Sequence, residues 1–237
     1  MLSYIYLALL VAASHVQSTP AAATAQNVIC KARNGYYKTD ANCDTYIECR
    51  DYQATNMICP DGLHFNPSVE WPAYPCGYPV EVTCVGRGSI QPAQTTPDCP
   101  HQYGIFKHPN ASPTNCGQYR TCVGGRAFDM VCPPGLAFNP DFSRCDWADL
   151  VPSCDAEKFL GFTCPPAPLD AIGNPLNNVI NYKYEGNCYY FFSCEQNRAR
   201  LLSCDIGLAF DPTTGRCVDA DRVQCNATQN TNDKNHI

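Results

Sequence analysis

The chain has 237 residues, with 16 Lys and Arg against 22 Asp and Glu, and a net charge of −6 offers no basic patch to nucleic acid or an anionic membrane. Its 18 cysteines are the dominant feature of composition. In chain order, residues 4 to 13, YIYLALLVAA, are apolar but too short to span a bilayer, and Val16 and Ser18 in the following SHVQSTP suit cleavage after Ser18. Residues 1–18 therefore read as a secretory signal peptide. No other long apolar run follows, so the mature chain is expected to be soluble, secreted and free of membrane contact.

The cysteines then fall into three sets of six: 30, 43, 49, 59, 76 and 84; 99, 116, 122, 132, 145 and 154; 164, 188, 194, 204, 217 and 225. The residues between them number 12, 5, 9, 16, 7 in the first set, 16, 5, 9, 12, 8 in the second and 23, 5, 9, 12, 7 in the third. The constant 5 and 9 mark a repeated pairing geometry, and the variable first gap marks a loop. The phrase CPPGLAFNP at 132–140 recurs as CPDGLHFNP from Cys59 and CDIGLAFDP from Cys204. One module is thus written three times, with expected bounds of 27–86, 97–156 and 162–227.

In a secreted chain, six cysteines per segment of this size read as three disulfides. A metal site would need CxxC pairs or clustered histidines, whereas the closest cysteines are six apart and His15, His64, His101, His108 and His236 are scattered. Neither a metal nor a cofactor is expected. The bridges are needed physically, because a segment this small buries only about 60% of its unfolded surface while a closed loop contributes on the order of 3 kcal/mol.

Within each module the local chemistry predicts short strands. Cys43 and Cys49 lie an even number apart, so on a strand both face one way and Tyr46 faces the other; Tyr119 and Phe191 repeat this. Gly124-Gly125 and Gln196-Asn197 supply hairpin turns after the third cysteine. Gly62, Gly135 and Gly207 supply a further turn, followed by Phe65, Phe138 and Phe210 and by an Asn/Asp-Pro step. The predicted fold class is small, disulfide-rich and mostly β, in three tandem modules with little helix.

Between modules, VGRGSIQPAQTTPD (85–98) reads as an exposed flexible linker. The shorter DAEKFLGFT (155–163) carries Phe159, Leu160 and Phe162 and reads equally as a spacer or as a packed segment. Residues 228–237 read as a polar disordered tail. Asn226-Ala-Thr is a glycosylation sequon, and Asn110-Ala-Ser is a weaker one because Pro113 follows it.

These residues carry a family resemblance over the mature chain. The invariant spacings, the aromatic in CDTYIEC and CGQYRTC, and the phrase CPxGLxFNP together resemble the chitin-binding type 2, or peritrophin-A, domain. Three such domains with CDWADLVPSCDAEKFLGFTCP between the last two resemble obstructor-type cuticular proteins analogous to peritrophins. The resemblance implies hevein-like halves, chitin as ligand, and bridges joining first to third, second to sixth and fourth to fifth cysteines. Those pairs are Cys30–Cys49, Cys43–Cys84, Cys59–Cys76, Cys99–Cys122, Cys116–Cys154, Cys132–Cys145, Cys164–Cys194, Cys188–Cys225 and Cys204–Cys217. Spacing alone selects no pairing.

Chitin presents flat apolar sugar faces, acetamido groups and hydroxyls, so its binder needs aromatic faces and short polar side chains rather than charge. The polar candidates are Asn66, Asn139 and Asp211, each of which serves equally well to start a turn before its proline. Trp71, Phe142, Tyr78 and Trp147 are the nearby aromatics. Tyr46, Tyr119 and Phe191 are candidates for stacking that also suit a core, and Phe65, Phe138 and Phe210 suit the core better. Tyr190 belongs to the run Tyr189–Phe192, which places aromatics on both faces of one strand. Asp219 stands where the earlier modules have Tyr78 and Trp147, so the third module is expected to bind weakest.

Glycoside hydrolysis needs two carboxylates held across a cleft, and nucleophilic hydrolysis needs a Ser/His/Asp set; neither appears as a motif. The function expected is therefore non-catalytic organisation of chitin in an extracellular matrix such as cuticle or tracheal lining. Other matrix proteins and chitin-modifying enzymes are further candidate partners. A gut peritrophic-matrix protein, or an adhesive or defence lectin for other glycans, is the alternative.

Overall fold

The computed structural model describes residues 30–39, 42–176 and 178–224. The signal peptide, Cys225, the Asn226 sequon and the 228–237 tail lie outside the described residues.

The first cysteine set folds into β1 (Gly35–Lys38), β2 (Thr45–Arg50) and β3 (Gln53–Ile58), an antiparallel sheet, followed by the small hairpin β4 (His64–Phe65) and β5 (Cys76–Gly77). The second repeats the plan: β6 (Gly104–Lys107), β7 (Gln118–Val123) and β8 (Arg126–Val131), then β9 (Leu136–Asn139) and β10 (Arg144–Trp147). A short helix, α1 (Ala156–Leu160), leads to the third sheet, β11 (Ile180–Lys183), β12 (Tyr190–Glu195) and β13 (Arg198–Ser203), and the hairpin β14 (Leu208–Asp211) with β15 (Arg216–Asp219). The chain is mostly β in short antiparallel pairs, as its spacing predicts.

Each central hairpin turns on two residues of positive φ: Gly124 and Gly125 at 58° and 74°, Gln196 and Asn197 at 50° and 61°, and Asp51 and Tyr52 at 50° and 65°. Two left-handed residues give the turn whose twist matches paired strands. Glycine adopts this conformation without cost, whereas Asp51 and Tyr52 need support. Asn34 Oδ1 accepts from the Asp51 amide at 3.0 Å, and the Arg33 carbonyl accepts from the Tyr52 amide at 2.9 Å.

Among the described residues eight bridges close the modules: Cys30–Cys49, Cys43–Cys84 and Cys59–Cys76; Cys99–Cys122, Cys116–Cys154 and Cys132–Cys145; Cys164–Cys194 and Cys204–Cys217. The pairing Cys188–Cys225 involves a residue outside those described. A ring pair sits beside the bridges in every module. Tyr46 stacks on Phe65 with centroids 4.9 Å apart, Tyr119 on Phe138 at 5.1 Å and Phe191 on Phe210 at 4.9 Å. The residue three past the second cysteine thus packs on the phenylalanine of the repeated phrase, joining sheet to hairpin.

The junctions are more ordered than composition suggests. Residues 85–98 are largely exposed, but they do not form a free linker. The Gln91 amide donates to Asp44 Oδ2 at 2.7 Å, Gln91 Nε2 to the Cys59 carbonyl at 2.6 Å, and the Gln94 amide to Asp61 Oδ2 at 2.8 Å. Arg87 Nη1 reaches the Cys43 and Phe65 carbonyls at 3.3 and 3.2 Å. These five hydrogen bonds, from three residues within a run of eight, strap the segment to the first module, because buried carboxylates and carbonyls there need donors.

Asp61 then holds the second module. Its side chain is 1% exposed and accepts the Gln94 and Gln102 amides while facing His101 Nδ1 at 2.8 Å. The Tyr103 amide donates to the Asp61 carbonyl at 3.0 Å. A Cβ on neighbouring Gly62, whose φ is 92°, would collide with the Tyr103 carbonyl. Close approach of backbone to backbone explains why glycine stands there.

The second junction is apolar. Asp155 caps α1 by accepting from the Lys158 amide at 3.2 Å, and Gly161 ends it with φ 65°. This helix turns Phe159 onto the core of the second module, formed by Cys116, Ala137, Ala148 and Val151. Phe162 then stacks on Phe192 of the third module, with centroids 4.1 Å apart. The segment is packed, not a spacer.

Candidate functional site

Among the described residues, Trp71, Tyr74 and Phe142 are exposed aromatics on the loops of the small hairpins, while Tyr52, Phe128 and Tyr189 are exposed elsewhere. In the first module Trp71 is 43% exposed, beside exposed Tyr74, between β4 and β5. In the second, Phe142 is 58% exposed at the β9–β10 turn, with the Arg144 guanidinium 5.2 Å from its ring centre. Loops built on Asn-Pro steps hold these rings outward because the asparagine spends its carbonyl locally. Asn66 Oδ1 accepts from the Ser68 amide at 3.0 Å and Asn139 Oδ1 from the Asp141 amide at 3.1 Å. Asp211 does the same for Thr213 at 2.9 Å and also accepts from the Thr214 hydroxyl at 2.8 Å. Those bonds, the Thr213 amide first, hold the Asp211 carboxyl below the usual carboxylate range.

Several sequence candidates serve the fold instead of a surface. Asn139 is 2% exposed, so its place is the turn. Tyr46 is 5% exposed, with Phe65 against its face and Tyr36 against its edge, which leaves no face for a sugar. Tyr119 and Phe191 are half-buried, each with one face covered by its stacked phenylalanine. Tyr190 is half-buried, with the edge contact of Tyr184 at 6.3 Å. Asn110 is exposed in the loop after β6.

Tyr78 and Trp147 occupy matching places at the two junctions. Tyr78 packs on the first core and lines a cleft of about 200 Å³ shared with His101, Tyr103 and Ile105 of the second module. Trp147 is half-buried at the end of β10, with the Arg200 guanidinium of the third module 5.1 Å from its ring centre. Sequence reasoning missed Asp61, Tyr103 and Arg200, and it missed Phe128, exposed on β8. The alternation of Phe128 with Met130 along the strand is the signal that marks the latter.

Among the described residues one cluster has the makeup of a metal site, Cys43, His64 and Cys84. The two cysteines are bridged, with His64 Nδ1 3.3 Å from Cys84 Sγ, and a disulfide offers no thiolate to a metal.

The family model of the chitin binding Peritrophin-A domain matches residues 30–84, 99–154 and 177–225, one match for each cysteine set. The chain belongs to the chitin binding Peritrophin-A domain family. Protein obstructor-E of Drosophila melanogaster is 38% identical over 195 residues, covering 79% of this chain and 77% of that protein. Peritrophin-1 of Anopheles gambiae is 31% identical over 123 residues, 48% of this chain and 76% of that protein. Probable chitinase 10 of Drosophila melanogaster is 22% identical over 82% of this chain but only 10% of its own length. The peritrophin-A modules therefore account for a likeness to a chitinase without a catalytic domain being shared. In the peritrophin-A chain described here, the hairpin loops and the two junctions bring the aromatic and polar groups together. Among the described residues no helix is long and apolar enough to cross a membrane.

Proposed function

We propose that the protein is a secreted, non-catalytic chitin binder that organises or crosslinks chitin in an extracellular matrix such as cuticle or tracheal lining. The observation that carries this reading is that all three modules match one chitin-binding domain family. The proposed contacts are Trp71 and Phe142 on the loops, with Tyr78 and Trp147 at the junctions. Rings of this kind stack on apolar sugar faces, and their value does not depend on charge. Straps at both junctions support a binder that presents its loops at set distances, a geometry suited to holding fibres in register. The modular bounds 27–86, 97–156 and 162–227 and a mature start after Ser18 belong to the same proposal, as do matrix proteins and chitin-modifying enzymes as further partners.

Retention on chitin beads across a salt series tests the mechanism. Stacking and neutral hydrogen bonds are not screened as ion pairs are, so retention should be the same at low and at high ionic strength. Release by salt would show that charge carries the binding. Replacing Trp71 or Phe142 by Ala should weaken retention while leaving thermal unfolding unchanged, since both rings are exposed.

A further inference from the structure

The hairpin loops of the first two modules carry Trp71, Tyr74 and Phe142, but the matching loop of the third, Pro212–Gly215, carries no aromatic. Trp147 of the second module instead stands against the third. In the sheet of the third module, Ser193 pairs with Arg200 and Glu195 with Arg198, so these four side chains share one face. That face, the turn residue Gln196 and the Trp147 indole bound a cleft of about 200 Å³.

The cleft is built rather than incidental. Arg200 Nε and Nη2 each donate to an oxygen of Asp149 at 3.2 Å, and this fork fixes the guanidinium over the indole. Phe159 of α1 packs on the core of the second module and Phe162, just past the helix, stacks on Phe192 of the third, which holds the two walls together. Arg198 and Arg200 balance Glu195 and Asp149 in formal charge, so the cleft attracts neither anion nor cation. A wall of indole facing a hydroxyl, a carboxylate, a guanidinium and an amide fits a neutral ligand with an apolar face and many hydroxyls.

We propose that this cleft is a composite subsite, shared by the second and third modules, for an N-acetylglucosamine unit of a chitin chain. The sugar's apolar face meets Trp147, and its hydroxyl and acetamido groups exchange hydrogen bonds with Ser193, Glu195 and Arg198. The third module, without a loop aromatic of its own, thus uses one supplied by its neighbour. The proposal rests on the chitin reading and adds that binding here requires both modules in their observed arrangement.

Titration of the ¹⁵N-labelled full chain with chitotetraose tests it. The chain has two tryptophans, so two indole N–H resonances are followed, assigned through Trp71→Phe and Trp147→Phe. The Trp147 resonance should shift saturably. A Glu195→Ala, Arg198→Ala variant should weaken that titration about tenfold, the effect of losing a hydrogen bond to a charged group. Both side chains are exposed, so the variant should fold. An unmoved Trp147 resonance, or an unchanged titration in the variant, overturns the composite subsite; if chitin beads still retain the chain, the chitin reading stands. Loss of bead retention in the unmodified chain overturns both.

Discussion

Replacing Phe138 by Ala should unfold the second module while its bridges remain closed. The ring is 2% exposed and stacks on Tyr119, joining the three-stranded sheet to the β9–β10 hairpin. Removing it takes away its transfer free energy and leaves a cavity, an expected loss of about 3–5 kcal/mol. A module this small has a margin of the same size. Thermal unfolding followed by near-ultraviolet circular dichroism should lose the second module's transition. Phe142→Ala, four residues on and exposed, is the matched control and should change stability by no more than about 0.5 kcal/mol. Equal behaviour of the two variants would show that the stacked pair does not hold the sheet to the hairpin.

Asp61→Ala should release the first module from the second without unfolding either. The substitution strands the Gln94 and Gln102 amides and the His101 ring, which costs the junction about 3 kcal/mol. Small-angle scattering should show a larger radius of gyration, and protease should cut within residues 85–98. Acid should act in the same direction. Burial alone would raise the Asp61 pKa, but the His101 hydrogen bond and the Gln94 and Gln102 amides outweigh it and hold the carboxyl below its ordinary value. Its folded pKa lies below its unfolded one, so the junction keeps its full contribution above about pH 4 and loses it as pH falls through the depressed value. An Asp61→Ala chain with an unchanged scattering profile would mean that other contacts set the angle.

The sequence made the repeated unit legible because its determinants are local. Invariant cysteine gaps, turn pairs such as Gly124-Gly125 and the Asn-Pro step act within a few residues. Asp51-Tyr52 escaped notice because neither residue favours positive φ on its own, and the Asn34 and Arg33 contacts that hold the turn come from 17 to 19 positions earlier. The junctions were illegible for a stronger version of the same reason. Asp61 occupies the position that varies in the repeated phrase, where Pro134 and Ile206 stand in the other modules, and its partners lie 33 to 41 residues ahead. Composition marked 85–98 as a linker because an exposed segment of Pro and small polar residues looks alike whether free or strapped down. Tyr46 was ambiguous because alternation tells which residues share a face and not which face the stacked phenylalanine covers.

Retention on chitin beads, compared with cellulose and mucin beads, bears most directly on the claim that this chain is a chitin binder. Cellulose offers the same kind of apolar sugar face without the acetamido group, and mucin offers other glycans on protein. The full chain should be held by chitin and pass through cellulose and mucin. Passage through chitin, or equal retention on mucin, would contradict the account.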